Sequence, residues 1–195
     1  MRNYKKEISV ALVDNNDSFT YNVVELVRRV SGSSPIVINT ENIQTKELDS
    51  FDKIILSPGP GLPDDFPVLK EIIQAHGKQK PILGICLGHQ SIAEFFGAKL
   101  YNLKKVLHGQ SRQIQQIAAS NLFENMPEKF NAGLYHSWAV DQTAFPDELK
   151  ITSISSDNLI MSLEHQTFPV YGVQFHPESY ITEHAEVLMY NFLKL

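Results

Sequence analysis

Residues 81–97 read Pro-Ile-Leu-Gly-Ile-Cys-Leu-Gly-His-Gln-Ser-Ile-Ala-Glu-Phe-Phe-Gly, and this stretch decides the fold class. Its first part, residues 81–85, is a short apolar run that predicts a buried β-strand. Residues 91–96 continue a helix that ends at Gly97. A strand that passes directly into a helix is the building unit of α/β proteins, in which helices cover parallel strands.

The same alternation runs through the first half of the chain. Further strands are predicted at residues 8–13, 35–39 and 53–56, and helices after Ser18, as the N-cap, and over residues 66–76. The strands are nearly continuous apolar runs, which is typical of parallel strands that are covered on both sides. We therefore expect an open, mostly parallel, twisted sheet with helices on both faces.

The second half of the chain has a different pattern. Short strand-like pieces occur at residues 112–117, 149–153 and 170–175, and a last helix is predicted over residues 181–193. This pattern predicts an antiparallel extension of the same sheet. The chain shows neither an internal repeat nor a low-complexity linker, so we expect a single domain over residues 1–195.

Composition narrows the class of protein. The chain has 195 residues, 43% of them hydrophobic, and a formal net charge of −5, which argues against nucleic-acid binding. The polar start and the lack of a long apolar stretch predict neither a secretory signal nor a membrane span, and hence a cytoplasmic protein. A single cysteine excludes a disulfide framework, and the histidines lack the spacing of metal ligands, so no metal site is expected.

That cysteine, Cys86, lies in Gly84-Ile85-Cys86-Leu87-Gly88, between the predicted strand and the predicted helix. This arrangement is typical of a nucleophile elbow, in which a sharp turn lifts the nucleophile above the sheet edge. The helix N-terminus would stabilise a thiolate, and the Leu87 N–H would be an oxyanion donor. The alternative is an inert buried cysteine, the usual role of a lone cysteine; the glycine context favours the nucleophile.

Two polar segments follow other predicted strands. His176-Pro177-Glu178 follows residues 170–175, and a carboxylate beside a histidine can fix its tautomer and stabilise the imidazolium. Ser57-Pro58-Gly59-Pro60-Gly61 follows residues 53–56 and could supply a second oxyanion donor. Because the carboxyl ends of parallel strands meet in one crevice, residues 86 and 176 can meet there. By spacing alone, ordinary loop residues and a tight turn remain open alternatives.

Several segments together resemble the class I, or triad-type, glutamine amidotransferases, which have a flavodoxin-like sheet. The resemblance is strongest to the small subunit (component II) of anthranilate synthase and of aminodeoxychorismate (para-aminobenzoate) synthase. The segments occur in the family's order and span nearly the whole chain: residues 14–22, 57–61, 83–90, 135–137 and 172–179.

The resemblance implies a role for particular residues. Cys86 would be the nucleophile, His176 the general base and then acid, and Glu178 the carboxylate that orients it. Glutamine would be held by the residues of three segments, with Leu87 and the Gly59 loop as oxyanion donors. Those substrate-holding residues are Gly59, Pro60, Gly61, Gln90, Ser137 and Trp138.

The resemblance also implies a partner. L-Glutamine would be hydrolysed to glutamate and ammonia, and the ammonia would pass to a larger chorismate-binding synthase subunit in a hetero-oligomer. No cofactor is expected on this chain, whereas the partner subunit would use Mg²⁺. Asn16, Gln110 and Leu134 depart from the family's usual residues, so the pathway, to tryptophan or to folate, stays open.

Three other hypotheses about the function stay open from the sequence. The chain could be a glutaminase for a different ammonia acceptor, a catalytically silent regulatory subunit, or a stand-alone cysteine hydrolase. The Ser57–Gly61 loop counts against a different acceptor, and the intact set of Cys86, His176 and Glu178 counts against a silent subunit.

Overall fold

The computed structural model describes residues 8–143 and 145–195. Strands and helices alternate up to residue 95, after which strands dominate until the C-terminal helix. The strands are β1 (Val10–Asp14), β2 (Ile36–Asn39), β3 (Lys53–Leu56), β4 (Ile82–Ile85), β5 (Leu100–Gln116), β6 (Lys129–Val140), β7 (Leu149–Ser155), β8 (Ile160–His165) and β9 (Val170–Val173). The helices are α1 (Thr20–Ser31), α2 (Val68–His76), α3 (Leu87–Phe95) and α4 (Ala185–Lys194).

The strands form one nine-stranded sheet in the order β2-β1-β3-β4-β9-β8-β7-β5-β6. The first five strands in this order are parallel to their neighbours, and the pairings from β9 to β6 are antiparallel. The parallel part has the order of a flavodoxin-like sheet, with β9 as its fifth strand. The predicted parallel sheet with an antiparallel extension is therefore confirmed.

Apolar side chains pack on both faces of the sheet. On one face, residues of α1 and α4, such as Val27 and Phe192, share a buried cluster with Leu12 and Leu83. On the other face, residues of α2 and α3, such as Ile72 and Ile92, pack with the alternate side chains of the same strands. Because successive side chains of a strand point to opposite faces, the apolar strands can feed both clusters.

Some local predictions were wrong. Ser18 does not cap α1: the helix begins at Thr20 after Phe19, and the Asp17 carboxylate instead accepts a hydrogen bond from the Phe19 N–H. The last helix begins at Ala185 rather than at residue 181, because His184 before it adopts a left-handed conformation with φ 57°. Strand β8 and the first part of β5 were not predicted at all.

The topology gathers four polar residues at one edge of the sheet. Each parallel strand ends at this edge, and the residue that follows β1, β3, β4 or β9 is polar. These residues are Asn15, Ser57, Cys86 and Gln174.

In residues 8–143 and 145–195, no helix has the length and apolar character needed to cross a membrane.

Candidate active site

Cys86 occupies a strained turn between β4 and α3. Its backbone has φ 51° and ψ −98°, a conformation that residues with a side chain rarely adopt. The turn is held by two backbone hydrogen bonds, from the Cys86 N–H to the Val173 carbonyl at 2.8 Å and from the Gln90 N–H to the Cys86 carbonyl at 3.0 Å. This is the geometry of a nucleophile elbow, as the sequence predicted.

Two glycines allow the helix to lie close behind this turn. A Cβ on Gly84 would lie 2.4 Å from the Gly88 carbonyl group, and a Cβ on Gly88 would lie 2.5 Å from the Leu56 carbonyl oxygen. Real Cβ atoms do not approach backbone atoms so closely. The glycines on both sides of Cys86 are therefore required by close packing of β3, β4 and α3.

His176 and Glu178 form a buried pair at the end of β9. The His176 Nδ1–H donates to Glu178 Oε1 at 2.6 Å, and both side chains are almost fully excluded from solvent. Burial lowers the pKa of His176, but interactions with the Glu178 carboxylate and with Cys86 outweigh burial and raise this pKa well above its ordinary value. At neutral pH the imidazole therefore carries a proton that it can give to a leaving group.

Aromatic rings fix the orientation of the imidazole. The centroids of the Phe19 and Tyr135 rings lie 5.3 and 4.9 Å from that of His176, both in edge-on arrangements, and the two rings also contact each other. The Tyr135 hydroxyl is hydrogen-bonded to the Ser179 hydroxyl at 3.0 Å. The sequence reasoning gave no role to the rings of Phe19 and Tyr135, although both residues lie in segments that carry the family resemblance.

The loop Ser57–Gly61 is anchored by Asn15 and lies against the elbow. The Asn15 N–H donates to Ser57 Oγ at 2.9 Å, and its side-chain amide donates to the Ser57 carbonyl at 2.8 Å. A Cβ on Gly59 would lie 2.4 Å from Leu87 Cδ2, so the loop touches the first residue of α3. Because the first N–H groups of a helix lack intrahelical partners, the Leu87 N–H can donate a hydrogen bond to a ligand next to the loop.

A cavity of about 170 Å³ lies beside Cys86. Six of the seven predicted binding residues line it; the seventh, Leu87, lies at the start of α3 against Gly59. Tyr135 and His136 join the lining. The predicted residues that line the cavity are Gly59, Pro60, Gly61, Gln90, Ser137 and Trp138.

Gln174 is a residue of the site that sequence reasoning missed. It is fully buried, and its side-chain Nε2 donates to Cys86 Sγ at 3.6 Å. The Gln90 amide donates to Gln174 Oε1 at 3.1 Å and to the Trp138 carbonyl at 3.0 Å. Both N–H groups of Gln90 are thus engaged by the protein, which leaves its amide oxygen as the group it can offer to a substrate.

Two further histidines are buried near the site without carrying charge. Burial lowers the pKa of His89 to about 3 and that of His136 to about 4. The His136 Nδ1 pairs with the Trp138 carbonyl at 2.8 Å. Among the described residues, no group of three or more His, Cys, Asp or Glu side chains is placed to hold a metal ion.

The family model of the class-I glutamine amidotransferases matches residues 11–195. The chain belongs to the class-I glutamine amidotransferase family. The elbow, the histidine–glutamate pair and the glycine loop therefore lie in an amidotransferase, an enzyme that takes ammonia from glutamine.

Individual amidotransferase relatives cover most of this chain. The anthranilate synthase component 2 of Saccharolobus solfataricus is 43% identical over 190 residues, which are 93% of this chain and 96% of the relative. The aminodeoxychorismate synthase of Streptomyces griseus is 41% identical over 94% of this chain, but over 25% of its own length. The crystal structure of a Thermoplasma acidophilum protein, provisionally described as one subunit of GMP synthase, has a TM-score of 0.86 and 26% identity, covering 96% of this chain and 93% of its own.

Proposed function

We propose that this amidotransferase is the glutaminase subunit of a chorismate-aminating synthase, and that Cys86, His176 and Glu178 perform its chemistry. It would hydrolyse L-glutamine to glutamate and ammonia and deliver the ammonia to a larger synthase subunit, in a hetero-oligomer. We place this activity in the cytoplasm, where reducing conditions keep the Cys86 thiol free.

In the first half-reaction the Cys86 thiolate attacks the side-chain amide carbon of glutamine. The oxygen of the tetrahedral intermediate becomes negative and accepts hydrogen bonds from the N–H groups of Leu87 and Gly59. His176, which carries a proton because its pKa is raised, gives this proton to the amide nitrogen. The carbon–nitrogen bond breaks, ammonia leaves, and a γ-glutamyl thioester stays on Cys86.

In the second half-reaction water hydrolyses the thioester. The neutral His176 removes a proton from the water, and the hydroxide attacks the thioester carbon. The carbon–sulfur bond breaks, glutamate leaves, and the thiolate faces a protonated imidazole again. Glu178 holds the imidazole through Nδ1, so that Nε2 is the nitrogen that exchanges protons.

Several residues suit the substrate's amino acid portion. The cavity of about 170 Å³ beside Cys86 can hold the glutamine, with the Gly59–Gly61 loop on one wall and Ser137 and Trp138 on another. The oxygen of Gln90 can accept a hydrogen bond from the substrate's amino group. No cofactor enters any of these steps, and any Mg²⁺ would belong to the partner subunit.

The choice of chorismate as the final acceptor is supported by the relatives. The Saccharolobus relative is named as a component of anthranilate synthase and the Streptomyces relative as an aminodeoxychorismate synthase. The Thermoplasma protein, whose description points to GMP synthesis, shares fewer residues with this chain. A nucleotide acceptor is therefore the second candidate.

The observation that carries the proposal is the interaction of the buried His176–Glu178 pair with a single cysteine at a strained elbow, beside a cavity of about 170 Å³. The decisive experiment mixes the chain with each candidate synthase subunit of its host and follows glutamine-dependent conversion of chorismate. Cys86→Ser is the control, because it replaces the thiol with a hydroxyl of similar size that does not ionise to a thiolate.

Activity with one partner that Cys86→Ser abolishes would establish the acceptor and the nucleophile together. Activity with neither chorismate-using partner would contradict the chorismate proposal and favour the nucleotide acceptor. A Cys86→Ser variant that still releases glutamate would contradict the role of Cys86. A catalytically silent subunit predicts that no partner elicits glutamine hydrolysis.

A further inference from the structure

Gln174 faces the reactive sulfur from the neighbouring strand. In the parallel pairing of β4 with β9, Ile85 lies opposite Val173, so Cys86 and Gln174 are the next residues in the same register. The Gln174 Nε2 donates to Cys86 Sγ at 3.6 Å, a normal distance for a hydrogen bond to sulfur. The Gln174 side chain therefore contacts the sulfur directly, although the two residues are 88 positions apart in the sequence.

The surroundings of Gln174 hold its amide in one orientation. Its Oε1 accepts a hydrogen bond from the Gln90 amide, so its nitrogen must be the end that faces the sulfur. Its backbone N–H donates to the Met161 carbonyl at 2.8 Å, and the next residue, Phe175, packs against Phe130 in the core. The amide has little freedom to turn away from Cys86.

We propose that Gln174 is a further functional residue of the glutaminase site, a fixed hydrogen-bond donor that stabilises the Cys86 thiolate and aims it at the substrate. A donor to the charged form of an acid favours that form, and the effect is stronger where water is excluded. Gln90 acts through Gln174 as a positioning residue, since it holds the oxygen end of the same amide. The inference rests on the proposed role of Cys86 as the nucleophile.

The arrangement links the substrate cavity to the nucleophile. Gln90 and Trp138 line the cavity, and the hydrogen bonds run from the Trp138 carbonyl through Gln90 and Gln174 to the sulfur. Movement of the Trp138 segment would therefore change the position of the hydrogen-bond donor at Cys86, because the two amide groups connect them. Gln174 thus contributes to the ionisation of the nucleophile, and Gln90 contributes both to glutamine binding and to this ionisation.

The test uses iodoacetamide, which reacts with the thiolate, forms a sulfur–carbon bond and releases iodide. Cys86 is the single cysteine of the chain, so the alkylation rate reports on this sulfur alone, without glutamine or a partner. The rate is measured against pH for the unchanged chain, Gln174→Met and Gln174→Glu. Methionine has a similar length without the donor, and glutamate replaces the donor with a negative charge. Gln116→Glu, at a half-buried glutamine of β5 that donates to the Pro127 carbonyl, is the matched control.

We expect the pH midpoint of alkylation to rise by about one unit in Gln174→Met and by more in Gln174→Glu. The control should keep the midpoint of the unchanged chain. With the synthase partner, Gln174→Met should lower kcat about tenfold with little change in KM, because the donor acts on the sulfur rather than on the substrate.

Equal midpoints in the unchanged chain and in Gln174→Met would overturn the inference, even if the variant were less stable. If Gln174→Glu does not fold, Gln174→Met alone decides, with its thermal unfolding measured beside the alkylation. A shifted midpoint in a chain that serves no chorismate-using partner would support the role of Gln174 and contradict only the proposed acceptor.

Discussion

Gly59 and Leu87 lie so close together that a methyl group on Gly59 would be 2.4 Å from Leu87 Cδ2. Gly59 belongs to the loop after β3, and Leu87 is the first residue of α3, after β4. Their N–H groups are the proposed oxyanion donors. Their contact means that the loop cannot shift without disturbing the start of α3. The proposed oxyanion site is therefore built by packing as much as by hydrogen bonds.

Gly59→Ala should lower the rate of glutamine hydrolysis. The new methyl group would push the loop away from Leu87 and from Asn15, whose Cβ would lie 2.7 Å away. We expect kcat to fall by about 100-fold, the usual effect of misplacing one donor or reacting group by an ångström. Gly32→Ala is the control for the loss of a glycine: its φ of 82° is left-handed, unlike that of Gly59, so the variant loses stability, but a methyl group there meets nothing within 4 Å and kcat should stay unchanged. An unchanged kcat in a folded Gly59→Ala chain would contradict the proposed role of Gly59 in the oxyanion site.

Glu178→Gln should weaken the acid–base step. Loss of the carboxylate removes a charge that raises the pKa of His176, so this pKa falls and less imidazolium is present at neutral pH. We expect kcat to fall by about 10² to 10⁴-fold with the partner present. The His176 titration can be followed by NMR, and Glu186→Gln, at an exposed carboxylate of α4, is the control. A variant with normal kcat and an unchanged His176 titration would contradict the proposed role of Glu178.

Acid should destabilise the fold through His89. Its pKa falls from 6.5 to about 3 on folding, so below pH 6.5 the unfolded chain binds a proton that the folded chain does not. Stability is then lost as pH falls, by about 1.4 kcal/mol per pH unit for this residue. Urea unfolding between pH 4 and 6 should show a flatter pH dependence in His89→Asn, although that variant is less stable overall. His184→Asn, at an exposed residue before α4, should keep the original slope; equal slopes in all three chains would show that His89 is not the group concerned.

Asn15→Ala should impair catalysis more than the ionisation of the nucleophile. The variant loses the hydrogen bond from the Asn15 amide to the Ser57 carbonyl, which anchors the loop that carries Gly59. We expect a stability loss of about 1–3 kcal/mol and a reduced kcat. The pH midpoint of Cys86 alkylation should stay unchanged, because Asn15 does not contact the sulfur. Asn42→Ala, on an exposed turn, controls for the loss of a surface amide, and a normal kcat in Asn15→Ala would refute the anchoring role.

The parallel half of the sheet could be predicted from the sequence because its strands are short, mostly apolar runs between polar or turn-forming residues. β3 matches its predicted bounds, and β4 differs by one residue. β5 and β6 could not be predicted in the same way: β5 has many exposed residues, so its side chains carry no continuous apolar pattern. Their pairing across the sheet, rather than local preference, makes them strands.

In the candidate site, too, some residues could be predicted from the sequence and others could not. Cys86 and His176 could be found because each follows an apolar strand and has a chemically distinctive side chain. Gln174 could not, because a glutamine has no reactive group and its importance comes from the register between β4 and β9. Asn15 was missed for a similar reason, since its partners lie on a loop that is 42 residues away in the sequence.

The position of β9 has a consequence for how the protein is made. Among the strands of residues 8–143 and 145–195 this one comes last in chain order, yet it inserts in the interior of the sheet, beside β4. The proposed nucleophile is synthesised 90 residues before the histidine that is proposed to act on it. On this proposal, a chain whose β9 has not yet paired with β4 would have a thiol without its histidine and would leave glutamine intact. Consumption of glutamine would then begin only after β9 has joined the sheet.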